Sequence, residues 1–458
     1  MTPIKPRTMP GTMELLPADQ IAFQQMLDTI RRAYERFAFL PIETPAMEFV
    51  DLLLTKSGGE TEKQVYFAQS SGGRAKGEDP KLALRFDLTV PLARYVAEHE
   101  AKLTFPFRRY QMQRVYRGES AQKGRFREFY QCDADVVGKE RLSIEYDAEI
   151  VALVAAVFRD LQVGDFEIRV NNRKVLAGFL ASLGVTDPVA RAAVLREVDK
   201  LDRVGVDRVA AALTSSPEPL LASAAADRLL NLVGIAGPGA AVVRQLSALG
   251  VDDDTYRTGV EELATVTESL PRYGVPDTCW GIHLAIARGL DYYTGTVYET
   301  LLRAHAEIGS VCSGGRYDDL AHYFTKSRLP GVGVSIGATR LFDQLQARGL
   351  LSGVGGGAAD VVVLRFTPAL AAECLAIGTE LRTAGIPTEV LLEDWAPKKQ
   401  LAWASQRGAR YAVILGEDEH ARGVVALKDL AKKAQEDVPR DRVTGHIQAC
   451  ADRTDSRR

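Results

Sequence analysis

The sequence predicts an α/β protein in two parts: a large α+β domain over residues 1–352, with a helical insertion at about 174–252, and a small α/β domain over 353–458. Three observations predict it. Strand-like runs crowd residues 82–138, led by LALRFDLTV and a long basic segment. Residues 174–252 change texture, becoming rich in Ala, Leu, Val, Arg and Asp at helical period and nearly free of aromatics. After Gly353-Val354-Gly355-Gly356-Gly357, a flexible linker by composition, strand and helix patterns alternate.

Taken in order, apolar residues at Phe23, Met26, Leu27, Ile30, Tyr34 and Phe37 recur at helical spacing, so a long amphipathic helix follows Pro17. FLPIETPAME comes next; its Pro41 and Pro45 forbid helix and favour an edge or interface strand. Arg117 to Asp135 reads as a hairpin with Ser120 to Gly124 as its loop. Past the insertion come RGLDYYTG, VCSGGRYDDLA and LPGVGVSIGATRLF. DVVVLRF, a helix, TEVLLE, a helix and YAVILGEDE then make a β-α-β-α-β unit.

At 458 residues the chain is too long for one small core and suggests two or three domains. Apolar residues at 46% and charged residues at 26% place it among ordinary globular proteins. No apolar run is long enough to span a bilayer, and MTPIKPRTMPGTMELLP has no apolar signal-like region, so a cytoplasmic protein without membrane attachment is expected. Cys132, Cys279, Cys312, Cys374 and Cys450 are scattered and lack any CxxC spacing, which suggests reduced thiols and no metal site. The six histidines are not paired at ligand spacing, which argues against a zinc enzyme. A net charge of −3 neither demands nor excludes a nucleic-acid partner, so charge has to be read locally. The cluster from Arg108 to Arg127 has Glu119 as its only acid and can attract phosphate.

Chemistry concentrates in the hairpin. Side chains alternate faces along a strand. Arg117 and Glu119 therefore share one face of the first strand, and Arg125, Arg127, Phe129, Gln131, Asp133 and Asp135 share one face of the second. The opposite face, Phe126, Tyr130, Cys132, Ala134 and Val136, is apolar enough to be the buried one. The polar face is open to ligand or water. Guanidinium groups suit phosphate oxygens, an aromatic ring suits a base, and carboxylates suit an ammonium or imidazole.

RGE, a loop and RFREF together resemble the second shared motif of class II aminoacyl-tRNA synthetases: an arginine and glutamate before a loop, then Arg-x-x-x-Phe after it. GVGVSIGATRLF resembles their third motif, a glycine-rich strand entering a helix that carries Arg340, and the opening helix with Pro45 resembles their first, dimer-forming motif. RGLDYYTG and SGGRYDDL are similar to the two peptides that mark histidyl-tRNA synthetases within the class. The resemblance runs over nearly the whole chain, including KKQLAWASQRGARYAVILGEDE near the C-terminus. It implies an antiparallel-sheet class II catalytic core followed by an anticodon-binding α/β domain, acting as a homodimer.

It also implies a two-step reaction. The carboxylate of L-histidine attacks the α-phosphorus of ATP, giving histidyl-adenylate and pyrophosphate, and the 3′ end of tRNA(His) then takes the histidyl group. Mg²⁺ is expected on the ATP phosphates, needing few protein ligands. By resemblance, Arg117 holds the α-phosphate and the histidine carboxylate, and Arg125 and Arg340 hold the outer phosphates. Glu119 reads the adenine amino group, and Phe129 stacks on the base opposite Arg340. Arg288 sets a fixed positive charge beside the α-phosphate and attacking carboxylate, in place of a metal. Asp87, Thr89 and Gln131 resemble the ammonium binders. Asp135 resembles the imidazole acceptor, and Tyr292 and Tyr293 line the histidine pocket, Tyr293 offering its hydroxyl to the ring. Gly289 lets backbone approach the ligand, and Asp291 anchors the turn. Gly314 and Gly315 suit a backbone wall, and Tyr317 packs there or in the core. Asp133 and Arg127 fit either a site or a structural salt bridge and receive no role.

Three departures from the family pattern stand out. Aspartate replaces the frequent glutamate in the pocket, which implies a slightly shifted site. Thr339 precedes Arg340 where glutamate is frequent. In the hairpin loop, Ser120 and Ala121 stand where bacterial members commonly carry Arg-Pro, so weak dependence on the extra 5′ guanosine of the tRNA is expected. Two other readings compete: a catalytically silent, histidine-binding regulatory subunit, and a class II synthetase for proline, threonine or glycine. Arg117, Glu119, Arg125, Arg288 and Arg340 are all present, which weighs against the first, and both histidine peptides weigh against the second.

Overall fold

The structure, a computed structural model, describes residues 3–54, 64–119, 124–215, 219–286, 293–318, 321–351 and 359–455. It divides into two compact units, Met1–Glu14 with Met26–Leu350, and Leu15–Gln25 with Leu351–Arg458.

The first unit is built on a nine-stranded sheet. Its strands in chain order are β1 (Leu40–Pro41), β5 (Phe107–Tyr116), β6 (Glu128–Val137), β7 (Phe166–Asn172), β8 (Ala236–Gly237), β9 (Trp280–His283), β10 (Thr296–Leu302), β11 (Cys312–Tyr317) and β12 (Gly331–Gly337). In space they run β1-β5-β6-β12-β11-β10-β7-β9-β8. All neighbours are antiparallel except β1 with β5 and β7 with β9. A separate three-stranded sheet joins β2 (Met47–Phe49), β3 (Phe67–Ala68) and β4 (Leu82–Leu84). The expected antiparallel core is therefore present, with parallel pairs on either side of its centre.

The expected opening helix spans Pro17–Arg36. Its Ile30, Ala33 and Tyr34 are fully buried, and the Tyr34 hydroxyl donates to the carbonyl of Cys132 at 2.9 Å. LALRFDLTV departs from the extended reading: its strand stops at Leu84, and Thr89 opens a helix, Thr89–His99. Pro91 fits the first turn, where its missing N–H costs nothing, and Leu92, Ala93 and Val96 supply an apolar face. Helices fill the stretch from Arg173–Ser182 through Gly239–Ala248, as its texture predicts, and continue with Asp254–Ser269.

One buried ion pair pins the sheet to the helix Glu145–Asp160. Asp147, near the start of that helix, is wholly buried, and Arg316 of β11 is 3% exposed. The Arg316 guanidinium binds Asp147 through Nε (3.0 Å) and Nη2 (2.7 Å) and reaches the carbonyls of Leu142 and Ser143. Thr296 of β10 donates to the same carboxylate at 2.5 Å, and Tyr298 donates to the Asp147 carbonyl at 3.1 Å. Because strand side chains alternate, fixing Arg316 on the helix side turns its neighbours Gly315 and Tyr317 to the opposite face. SGGRYDDL thus contains a structural arginine that sequence reasoning left without a role.

The second unit carries β13 (Val361–Arg365), β14 (Thr388–Val390), β15 (Tyr411–Leu415), β16 (Val424–Asp429) and β17 (Ala434–Pro439), in the order β14-β13-β15-β16-β17. The first three are parallel and match the β-α-β-α-β reading, with helices Ala371–Thr383 and Pro397–Gln406 between them. The antiparallel pair β16 and β17 and the helix Val443–Asp455 complete it. Strand β17 escaped detection because nearly all its residues are exposed, so it carries no apolar alternation. Cys374, Ile377, Leu381, Val443 and Ile447 pack one face of the sheet, and Leu391, Ala404 and Ala409 pack the other.

Replacing Asp147 with alanine leaves the Arg316 charge buried without its carboxylate. The first unit should lose about 3–5 kcal/mol of stability. Urea unfolding read through Trp280, with Trp395 and Trp403 changed to phenylalanine, measures this loss.

Candidate functional site

The polar face of the central strands floors a cavity of about 490 Å³, a size suited to a small-molecule ligand. Direct registry builds the floor. Asp135 of β6 lies between Arg109 of β5 and Gly333 of β12. Asp133 lies between Gln111 and Ser335, and Gln131 between Gln113 and Gly337. Cys132, Ala134 and Val136 point the other way and are fully buried, as alternation predicts.

The alternation fails just before β6. Phe126, read as a buried-face residue, lines the cavity. Arg127 turns away, its Nε donating to the carbonyl of Glu119 at 2.9 Å. Both precede the strand proper, where no continuous ladder enforces the pleat.

One end of the cavity is cationic. Arg117, Arg125 and Arg340 all line it. Arg117 donates from Nε to the carbonyl of Phe86 at 3.0 Å, and its guanidinium lies 5.1 Å from the centre of the Phe129 ring. Arg125 pairs with Glu119 at 3.4 Å in a solvent-facing contact that holds neither side chain strongly. Arg340 donates to the carbonyl of Ile308. Thr339 accepts the backbone N–H of Tyr130 at 2.8 Å, which docks the Arg340 helix onto β6 without a glutamate.

Among the described residues, Arg108, Arg109 and Arg114 of the basic cluster are paired with carboxylates, which corrects the sequence-local count. Arg108 pairs with Glu149, Arg109 with Asp135 and Arg114 with Glu128. These carboxylates arrive from other elements, so a tally along the segment from Arg108 to Arg127 could not see them.

The other end is acidic. Asp87, Asp133 and Asp135 line it and sit among buried surroundings. Asp135 accepts from Arg109 Nη2 at 2.7 Å and from the Tyr317 hydroxyl at 2.9 Å. Burial raises its pKa, and Arg109 and then Tyr317 pull it back. Tyr317 is thus both a core tyrosine and a cavity residue, its own pKa pushed up by burial. Asp87 accepts the backbone N–H of Val90 at 3.1 Å; burial raises its pKa, while that bond and Arg117 lower it. Burial pushes Asp133 up to about 7, which Arg109 and Ser335 only partly oppose. Gln131 donates to Ser335 at 3.0 Å, and Thr89 lines the same wall.

Close approach requires the glycines. A Cβ at Gly333 would stand 2.0 Å from an oxygen of Asp135, and one at Gly315 would stand 2.9 Å from the ring of Tyr293, which also lines the cavity. Arg288, Gly289, Asp291 and Tyr292 lie outside the described residues, as do Ser120, Ala121 and the Gly353–Gly357 stretch. Sequence reasoning missed Arg109. Running the hairpin register back from its loop sets Arg109 opposite Asp135, which was the signal available.

The comparisons agree with this architecture. The family model described as histidyl-tRNA synthetase matches residues 11–341, and one described as an anticodon binding domain matches residues 360–449. The chain is 54% identical over 455 residues to a histidine–tRNA ligase of Stenotrophomonas maltophilia, covering 97% of this chain and 98% of that protein. It is 54% identical over 460 residues to a histidine–tRNA ligase of Xanthomonas campestris, covering 97% and 96%. A crystal structure of histidyl-tRNA synthetase from Nostoc sp. superposes with a TM-score of 0.87 at 38% identity, covering 98% of this chain and 100% of that one.

Proposed function

The chain belongs to the histidyl-tRNA synthetase family, and from that membership and the geometry of its cleft we propose how its residues divide the work of joining histidine to tRNA. The protein is a histidine–tRNA ligase, an aminoacyl-tRNA synthetase acting in protein synthesis. One observation carries the division of labour: a single cavity holds guanidinium groups at one end and buried carboxylates at the other.

Bringing a carboxylate to a polyphosphate sets like charges against each other, so catalysis here is positioning plus electrostatic stabilisation. Arg117 neutralises the histidine carboxylate and the α-phosphate together, its guanidinium lying over the Phe129 ring. Phe129 offers its ring to adenine and Glu119 an acceptor to the adenine amino group. Arg125 and Arg340 take the outer phosphates. ATP would bring Mg²⁺ on its phosphates, supplying further charge neutralisation. Among the described residues no three His, Cys, Asp or Glu side chains are grouped so as to hold a metal ion, and an ion carried on phosphates needs few protein ligands.

At the acidic end, Asp87, Thr89 and Gln131 receive the ammonium. Asp135 and Tyr293 receive the two ring nitrogens, each Asp135 oxygen keeping a lone pair after its bond to Arg109 or Tyr317. Arg288 and Tyr292 keep the roles that their peptide implies, on sequence grounds. Residues 1–352 form the catalytic part, and 353–458 read the anticodon of tRNA(His). A second copy of the chain covers the exposed Leu40, Met47 and Phe49, which lie on and beside the Pro45 segment. Among the described residues no helix is long and apolar enough to cross a membrane. We assign the reaction to the cytoplasm, where Cys132, Cys279, Cys312 and Cys374 stay reduced thiols. The silent regulatory reading gains nothing from the relatives, and the three arginines in the cleft weigh against it.

ATP–pyrophosphate exchange across a panel of amino acids tests the reading. L-histidine should support exchange, and proline, threonine and glycine should not; histidine binding without exchange would overturn it. Arg117→Ala should lower histidine-dependent kcat/KM by about 10²–10³-fold. A drop of only about threefold would remove Arg117 from the reaction.

A further inference from the structure

Asp133 has no part in the division of labour above, yet it sits at the middle of the floor. It is 2% exposed, lies between Gln131 and Asp135 on the cavity face of β6, and lines the cavity. Its Oδ1 has no hydrogen-bond partner among the described residues, and neither do Oε1 of Gln131 and Oε1 of Gln111. Gln111 is its direct cross-strand neighbour and Gln131 the next residue on its own face. Two of these oxygens, on Asp133 and Gln131, belong to residues that line the cavity, at adjacent positions of one face, and lack a group that brings several N–H donors at once. An alkylammonium brings three.

We propose that Asp133 is a second anionic ligand for the α-ammonium of the bound amino acid, acting beside Asp87 and making affinity depend on that ammonium. The proposal rests on the histidine-binding reading of the cleft and deepens it. Position favours the ammonium over the ring. Arg117 marks the carboxylate end, and the ammonium shares a carbon with the carboxylate, so it falls near Gln131 and Asp133. Asp135 lies two residues further along, about 7 Å away, where the imidazole would reach.

Charge agrees with position. Arg109 of β5 is the cation nearest in registry, and its carboxylate contact is with Asp135. Arg85 also feels Asp133, but donates to Gln113 and to the carbonyls of Thr44 and Arg114. The other groups facing Asp133 are Asp87, Asp135 and Ser335, with Tyr34 from the first helix, Cys132 on β6, and Cys312 and Tyr317 from β11. None of these adds a positive charge. With its pKa raised to about 7 by burial, Asp133 is partly protonated in the empty cleft at neutral pH. An arriving ammonium favours the carboxylate, and the carboxyl proton leaves to solvent. Below pH 7 that proton must be expelled before the contact forms, so affinity falls as pH falls.

Asp133→Asn keeps the shape and removes the charge. In pyrophosphate exchange it should raise the KM for histidine about 10–100-fold, the size of one charge-assisted hydrogen bond, with kcat and the KM for ATP within about threefold. The wild-type KM should rise more steeply below pH 7 than the variant's, the titration of the ligand's own ring being common to both. As competitive inhibitors, histidinol, which keeps the ammonium, should lose the same factor, and imidazolepropionate, which lacks it, should bind both proteins equally. An unchanged KM, matching pH profiles or equal losses for the two inhibitors would overturn the proposal. Calorimetry of histidinol binding at pH 7 in two buffers should find more proton released by the unaltered protein than by Asp133→Asn, the ligand's own titration being common to both. No difference would count equally against it. Absence of histidine-dependent exchange in the wild type would instead remove the reading of the cleft itself.

Discussion

The cleft depends on one buried ion pair, Arg109 with Asp135. Taking two charges out of water costs several kcal/mol per ion, and the pair recovers this only through close geometry and added hydrogen bonds. Here Arg109 is fully buried, the contact is 2.7 Å, and the Tyr317 hydroxyl adds a second hydrogen bond to the carboxylate at 2.9 Å. Nε and Nη1 of Arg109 find no hydrogen-bond partner among the described residues, so Asp135 is its principal compensation. The arrangement needs Gly333 opposite, because any side chain there would occupy the position of the carboxylate. The sheet floor thereby presents an oriented acceptor to a ligand.

Around this pair the sheet sorts charge by face and by distance along β6. Toward the cavity, successive cavity-facing residues run from Phe129 through Gln131 and Asp133 to Asp135, from a nucleotide-like end to an amino-acid-like end. Behind the sheet, Arg316 and Asp147 lock β11 to the helix Glu145–Asp160. That lock fixes which face Gly315 and Tyr317 present. Two buried ion pairs on opposite faces of the same sheet therefore do different work, one holding the fold and the other shaping the site.

The sequence carried most of this wherever a local period survives. The hairpin faces from Phe129 to Asp135 follow strict alternation, and the family motifs sit on the elements that carry them: β5 and β6 for the second, β12 and the Ala338–Ala347 helix for the third. Periodicity misled where partners come from afar. Arg108, Arg109 and Arg114 looked like an open basic patch until Glu149, Asp135 and Glu128 arrived from elsewhere in the fold. Thr89 and Val90 looked extended because β-branched residues favour strands, but they open a helix that buries Leu92 and Val96, with the Val90 N–H donating to Asp87. Asp133 remained ambiguous because alternation tells only which face a residue takes. Whether an oxygen there finds a donor is decided by the neighbouring strands.

The central claim is that Arg109, which lies beneath the cavity, holds Asp135 charged and aimed at the amino acid. Steady-state pyrophosphate exchange by Arg109→Met tests it directly. Without the guanidinium, burial drives Asp135 to its protonated form. The KM for histidine should then rise by about 10²-fold or more, while the KM for ATP, bound at the far end, stays within about threefold. A histidine KM equal to the wild type's would contradict the account, and so would parallel losses for histidine and ATP.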